Sequence, residues 1–158
     1  MPSRATIRIA PHLWYISEAE EAARFYTKLF PKSRIDRVWT LAGGPPVRCV
    51  EFRLFGQPFF AMSAGGGDPF NNAVSFGVKC STQAEIDRYW KAILKNGGKE
   101  LACGWIADKF GVRWQIMPTV LLDMMSDKNK KKAARVAAEM QSHIKFDIKK
   151  LKAAYKGP

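Results

Sequence analysis

The chain has 158 residues, 47% of them apolar, and a formal net charge of +12. That length and apolar share suit one globular domain with a sizeable core and exclude a disordered chain. No apolar run approaches the roughly 18 residues of a membrane span, so no membrane contact is expected.

The charge is unevenly spread. Residues 128–158 hold ten Lys/Arg against two acids, Glu139 and Asp147, a net of +8, which leaves only +4 for the rest of the chain. The plainest account of that basicity is a solvated helical face. The N-terminal stretch MPSRATIRIAPHLWYIS lacks a continuous apolar region followed by a small-residue cleavage site, which argues against export. Cys49, Cys80 and Cys103 are widely spaced and never form a C-x-x-C pair, a pattern of reduced thiols in a cytoplasmic protein.

Taken in chain order, the run RIAPHLWYI predicts a strand. Ser17 and Glu20 then form an S-x-x-E capping box, opening a helix whose apolar stripe is Ala22, Phe25, Tyr26, Leu29 and Phe30, stopped by Pro31. Three extended segments follow, SRIDRVWTL, VRCVEFRLF and QPFFAMSA, separated by Gly43-Gly44-Pro45-Pro46 and by Gly56. The Gly-rich stretch 65–69 is the best module boundary. A second strand, AVSFGVKC, precedes a second capping box, Thr82 with Glu85, and a helix striped by Ile86, Tyr89, Trp90, Ile93 and Leu94. The two stripes superpose at one offset of 64 residues, which predicts an internal repeat. KELACGWI and VRWQIMP continue the second copy around the turn at Asp108–Gly111. From about Thr119 the pattern turns helical: a short piece over 120–125, an amphipathic helix over 128–143 with Ala133, Val136, Ala137 and Met140 on its apolar side, and a last helix capped by Asp147. The expectation is an α+β chain read as one domain over 1–158, with βαβββ modules over 5–64 and 70–118 and basic helices over 119–158.

Four segments, IAPHLWYISEAEEAARFYTKLFP, VEFRLFGQPFFAM, AVSFGVKCSTQAEIDRYW and CGWIADKFGVRWQIMPTVL, together resemble the PhnB-like, glyoxalase-related proteins of the vicinal oxygen chelate superfamily. The branch most similar is often labelled 3-demethylubiquinone-9 3-methyltransferase. The resemblance implies two βαβββ modules paired around a small-molecule cavity, usually in a homodimer. The residues give methyl transfer no support, because the only Gly-rich stretch runs into Asp68-Pro69 and a further strand instead of opening a helix.

The resemblance also implies four metal-ligand positions, which fall on Pro11, Met62, Ala73 and Gln115. Three of them lack hard donors, so no metal and no other cofactor is expected. Strand alternation is read as turning His12, with Trp14 and Ile16, toward the helix. In VRCVEFRLF it turns Val50, Phe52 and Leu54 toward the helix and Cys49, Glu51 and Arg53 away; in VRWQIMP it turns Val112, Trp114 and Ile116 inward and Arg113, Gln115 and Met117 toward the cavity. Leu13, Tyr15, Phe60, Met62, Ser75, Cys103, Trp105 and Arg113 complete an aromatic-lined pocket for a small apolar or aromatic molecule. Within it Glu51 is the candidate general base and Gln115 the candidate oxyanion donor, with pairing of Glu51 to Arg53 or Arg113, or a place at a wet sheet edge, as the alternative. Cys103 has no His partner in sight and is read as a small hydrophobe. Three function classes follow: metal-independent binding or chemistry, a metal-dependent glyoxalase or dioxygenase, and a basic tail holding nucleic acid or an acidic partner. The third is disfavoured here, since the tail has no interleaved aromatics and no nucleic-acid motif.

Overall fold

Two helices of similar build, each laid across its own four-stranded sheet, organise the computed structural model, which describes residues 8–158. The chain divides into two compact units between Asp68 and Pro69, inside the Gly-rich stretch. Residues 5–7, the start of the first module as bounded from sequence, lie outside the described residues.

In the first unit β1 (His12–Tyr15) leads into α1 (Ala19–Leu29), followed by β2 (Arg34–Leu41), β3 (Val47–Leu54) and β4 (Gln57–Ser63). The sheet order is β1-β4-β3-β2, with β1 parallel to β4 and the other pairs antiparallel. Ala22 and Tyr26 of α1 are fully buried, and Val50, Phe52, Leu54, Phe59 and Ala61 fill the sheet side of the core. Phe52 and Phe59 lie opposite each other in the β3–β4 ladder with their rings stacked at 5.3 Å.

The expected Ser17 capping box does not form. Glu18 takes the cap position without a side-chain cap bond, and its carboxylate accepts from the Ser17 amide at 2.8 Å. The orphan amide of Ala19 is satisfied instead from 44 residues away, by Ser63 Oγ at 2.9 Å. Glu20, the presumed partner of Ser17, binds Arg24 and Arg48.

The second unit repeats the order with β5 (Phe76–Cys80), α2 (Gln83–Lys95), β6 (Lys99–Glu100), β7 (Trp105–Ala107) and β8 (Arg113–Pro118), in sheet order β5-β8-β7-β6. Here the capping box is complete: Thr82 accepts from the Glu85 amide, and Glu85 reaches back to the Thr82 amide. The extended segment KELACGWI splits into β6 and β7. The 64-residue offset holds for the two cap positions and for the buried pairs Ala22/Ile86 and Tyr26/Trp90, whereas Phe25, Leu29 and Leu94 are only half-buried.

Asp108 explains the turn in the D-K-F-G-V-x-W run. Its buried carboxylate accepts from the amides of Phe110 and Val112 and from the Trp114 indole, while Gly111 supplies the positive φ of 92° that the turn requires.

Three helices complete the second unit: α3 (Leu121–Met125), α4 (Lys130–Gln141), capped by Asn129, and α5 (Ile148–Lys156), capped by Asp147. The α4–α5 connection docks on the loop before β7. The Cys103 and Gly104 amides donate to the His143 and Ile144 carbonyls at 2.8 Å each, and the Phe146 ring lies on Gly104. No helix among the described residues is long and apolar enough to cross a membrane.

Candidate functional site

Residues that face one another on paired strands share one side of the sheet. In the first unit the register therefore aligns two rows on the side away from α1: His12, Phe60, Glu51 and Arg37, and beside them Trp14, Met62, Cys49 and Trp39. The His12 ring lies 4.7 Å from Phe60, and Trp39 lies 5.8 Å from Phe60 on its other flank. Phe60 thus forms the centre of an aromatic surface.

This corrects the facing of β1. Leu13 and Tyr15 are buried on the α1 side, 7% and 3% exposed, and the Tyr15 hydroxyl meets that of Tyr26 at 3.1 Å. They line the core, and His12 and Trp14 take the open face. The strand has apolar or aromatic residues on both sides, so alternation alone left its direction undetermined; Tyr26 decides it. Facing in β3 and β4 agrees with the sequence reading, with Phe60 and Met62 on the open side. Trp39 was missed. Counting back from the Gly43–Pro46 turn would have set it opposite Cys49.

Glu51 does not pair with Arg53. Arg37 holds it, Nη2 to Oε1 at 2.8 Å and Nε to Oε2 at 3.2 Å, and the Arg37 guanidinium also lies 4.2 Å from the centre of the Trp39 ring. The Glu51 side chain is 41% exposed. The carboxylate raises the pKa of Arg37 through their hydrogen bond. Arg53 turns instead to Asp36 at 2.7 Å.

In the second unit Gln115 is the middle of a row with Gly77 and Trp105, on the side away from α2. Its amide Nε2 donates to Ser75 Oγ at 2.8 Å. Arg113, on the same side, donates to Asn72 Oδ1 at 2.6 Å and to the Gly111 carbonyl, which fixes its guanidinium at the turn. Val112, Trp114 and Ile116 are buried toward the helix, as alternation predicts. Cys103 lies outside the strands at φ 57°, its amide given to the C-terminal hairpin. Burial pushes the Cys80 thiol up to about 12, which makes it inert near neutral pH.

The side chains do not fit a divalent cation. Correcting β1 brings His12 onto the open face, but its row neighbours are a phenyl ring and a carboxylate already bound to Arg37. Among the described residues no group of three or more His, Cys, Asp or Glu is placed to hold a metal ion. Met62 offers only a thioether, and Gln115 alone cannot hold a divalent cation.

Comparison with known proteins agrees with this architecture. Residues 7–117 match the family model described as 3-demethylubiquinone-9 3-methyltransferase. A PhnB protein from Bacillus cereus superposes with a TM-score of 0.61 at 30% identity, over 70% of this chain and 98% of that one. Protein PA1353 from Pseudomonas aeruginosa gives 0.60 at 16% identity, over 72% and 98%. The fosfomycin resistance protein FosX from Listeria monocytogenes, in its complex with Mn(II) and sulfate, gives 0.54 at 12% identity, over 67% and 86%, a likeness of fold alone. No curated protein matches the chain. The chain belongs to the 3-demethylubiquinone-9 3-methyltransferase family, to which the model match and the PhnB relative assign it.

Proposed function

From that membership we propose that the chain is a small-molecule-binding protein, and that its ligand is an apolar or aromatic compound laid on the open face of the first sheet. The observation that carries this reading is the surface of His12, Phe60, Trp39 and Trp14, flanked by the Glu51–Arg37 pair. An aromatic platform with few polar groups at its rim is the usual makeup of such a site. Glu51 acts there as a polar anchor; to serve as a base it must first part from Arg37. On the second sheet Gln115, Ser75 and Trp105 form a polar-and-aromatic cluster that offers a hydrogen bond to a ligand oxygen.

The methyl transfer in the family's description finds no support in the local build. A charged nucleotide-type cofactor sits where a strand passes through a Gly-rich turn into a helix. Here the glycines at 65–67 precede an extended stretch and β5, and the next helix begins at Gln83. The donor set described above likewise gives no support to a metal-dependent step. A homodimer and a reducing, cytoplasmic setting belong to the same proposal, on the family resemblance and the three free thiols. Sedimentation equilibrium giving 17.8 kDa at high concentration would remove the dimer.

The ligand reading is tested with 8-anilinonaphthalene-1-sulfonate and a panel of small aromatic compounds, titrated against the full chain by fluorescence. Phe60→Ala and Trp39→Ala should each weaken binding about tenfold, about 1.4 kcal/mol, with the circular dichroism unchanged. Unaltered affinities in both variants would sink the proposal.

A further inference from the structure

The basic segment looks different once its side chains are sorted by what they touch. Two of its ten cations are structural: Arg135 donates to the Ala154 and Tyr155 carbonyls, and Lys145 pairs with Asp87 at 2.6 Å. On α5, Lys149, Lys152 and Lys156 are all exposed and take part in no ion pair among the described residues. Their spacing puts the three on one side of the helix, spanning about 10 Å at 1.5 Å rise per residue. That side lines a groove of about 760 Å³ whose opposite wall carries Ser81, Thr82 and Gln83. Asp147 also lines the groove, but its carboxylate accepts from the Lys150 amide.

We propose that this groove binds the phosphate backbone of nucleic acid without reading its sequence. Three ammonium groups one helical turn apart match a run of two or three successive phosphates, and hydroxyl groups on the facing wall are suited to donate to phosphate oxygens. The Ser81 and Thr82 amides just before α2 are not part of the site, because the Glu85 carboxylate already accepts from both. Lysines, as compact hydrated point charges, neutralise phosphates but lack the fork that recognises a base edge. A lipid surface fits less well. An interfacial helix needs a free apolar side to insert, and on α5 that side is spent: Leu151 is fully buried, and the Tyr155 hydroxyl donates to Asp127. The missing aromatic platform excludes base stacking, which a backbone contact does not require.

The test uses the full chain and a fluorescently labelled 20-base-pair duplex of arbitrary sequence, followed by anisotropy. With three phosphates neutralised, log K should fall with log salt at a slope of about −2.7, about 40-fold between 50 and 200 mM. The triple variant Lys149→Glu, Lys152→Glu, Lys156→Glu should lose at least tenfold in affinity. The triple alanine change, which keeps good helix formers at all three positions, should lose a smaller but clear part. A control of equal charge change, Lys28→Glu, Lys91→Glu, Lys95→Glu, should retain most of the binding. The proposal is overturned if the duplex is not bound, if the control loses as much as the α5 variants, or if phosphatidylserine vesicles are bound more tightly than the duplex.

Discussion

The two βαβββ units start from similar sequence patterns and reach their stability differently. In the first, β2, β3 and β4 run to seven or eight residues, and α1 is tied at its start by a serine from the far end of β4. In the second, β6 and β7 have only two and three residues, and α2 caps itself. The short strands leave less ladder and less surface for α2 to cover. The C-terminal hairpin supplies what is missing by pairing its backbone with Cys103 and Gly104 and setting Phe146 into the space beside them. A repeat can therefore keep its topology while one copy is closed locally and the other by an added segment.

The hairpin's grip is the largest effect to break. Phe146 is 2% exposed, and truncating such a residue costs about 3–5 kcal/mol. Phe146→Ala should lower the denaturation midpoint and strip hydrogen-exchange protection from the Cys103 and Gly104 amides, while β3 and β4 keep theirs. Protection lost equally in both units would show that the hairpin is not specific to the second. Next comes Gly104→Ala. A Cβ there would stand 2.2 Å from the Phe146 ring, at φ 76°. Overpacking and the left-handed backbone together predict about 2–4 kcal/mol, read in the same urea titration.

The caps give a smaller, sharper contrast. Ser63→Ala leaves the buried amide of Ala19 without its partner, a loss of about 1–3 kcal/mol, and Thr82→Ala should cost about 1 kcal/mol. Ser17→Ala should stay within about 0.5 kcal/mol, because its hydroxyl caps nothing. A large effect at Ser17 and none at Ser63 would restore the local capping box.

These contrasts also mark what could be read from the sequence. Val50, Phe52 and Leu54, Val112, Trp114 and Ile116, and the pair Thr82/Glu85 were legible because local alternation or a three-residue spacing decides them. The facing of His12 and Tyr15 was not, since four residues with apolar groups on both sides carry no direction until Tyr26 hydrogen-bonds to one of them. The cap of α1 depends on a residue 44 positions away, and the partner of Glu51 depends on a register that shifts between Ile35 and Arg37. The facing of Phe60, Met62, Gln115 and Trp105 followed from alternation. Trp39 needed the pairing across the β2–β3 turn.

The smallest expected effect concerns acid, and it separates the units by charge. In the first, hydrogen bonds from Arg24 and Arg48 hold the Glu20 carboxyl below its ordinary value; in the second, Lys145 and Gln83 do the same for Asp87. A carboxyl depressed by folding adds stability that is present above its unfolded value, about 4, and is lost as the pH falls through the lower folded value. Both side chains are partly exposed, at 27% and 49%, so each is worth under about 1 kcal/mol and less in high salt. Glu20 has two arginines and the lower exposure, which makes it the larger contributor. Stability followed by urea unfolding should be flat above pH 5 and fall below it, and Glu20→Gln should flatten that fall more than Asp87→Asn. In 1 M salt the two variants should converge on the parent chain; a difference that survives would mean Glu20 acts through its place between α1 and β3 and not through its charge.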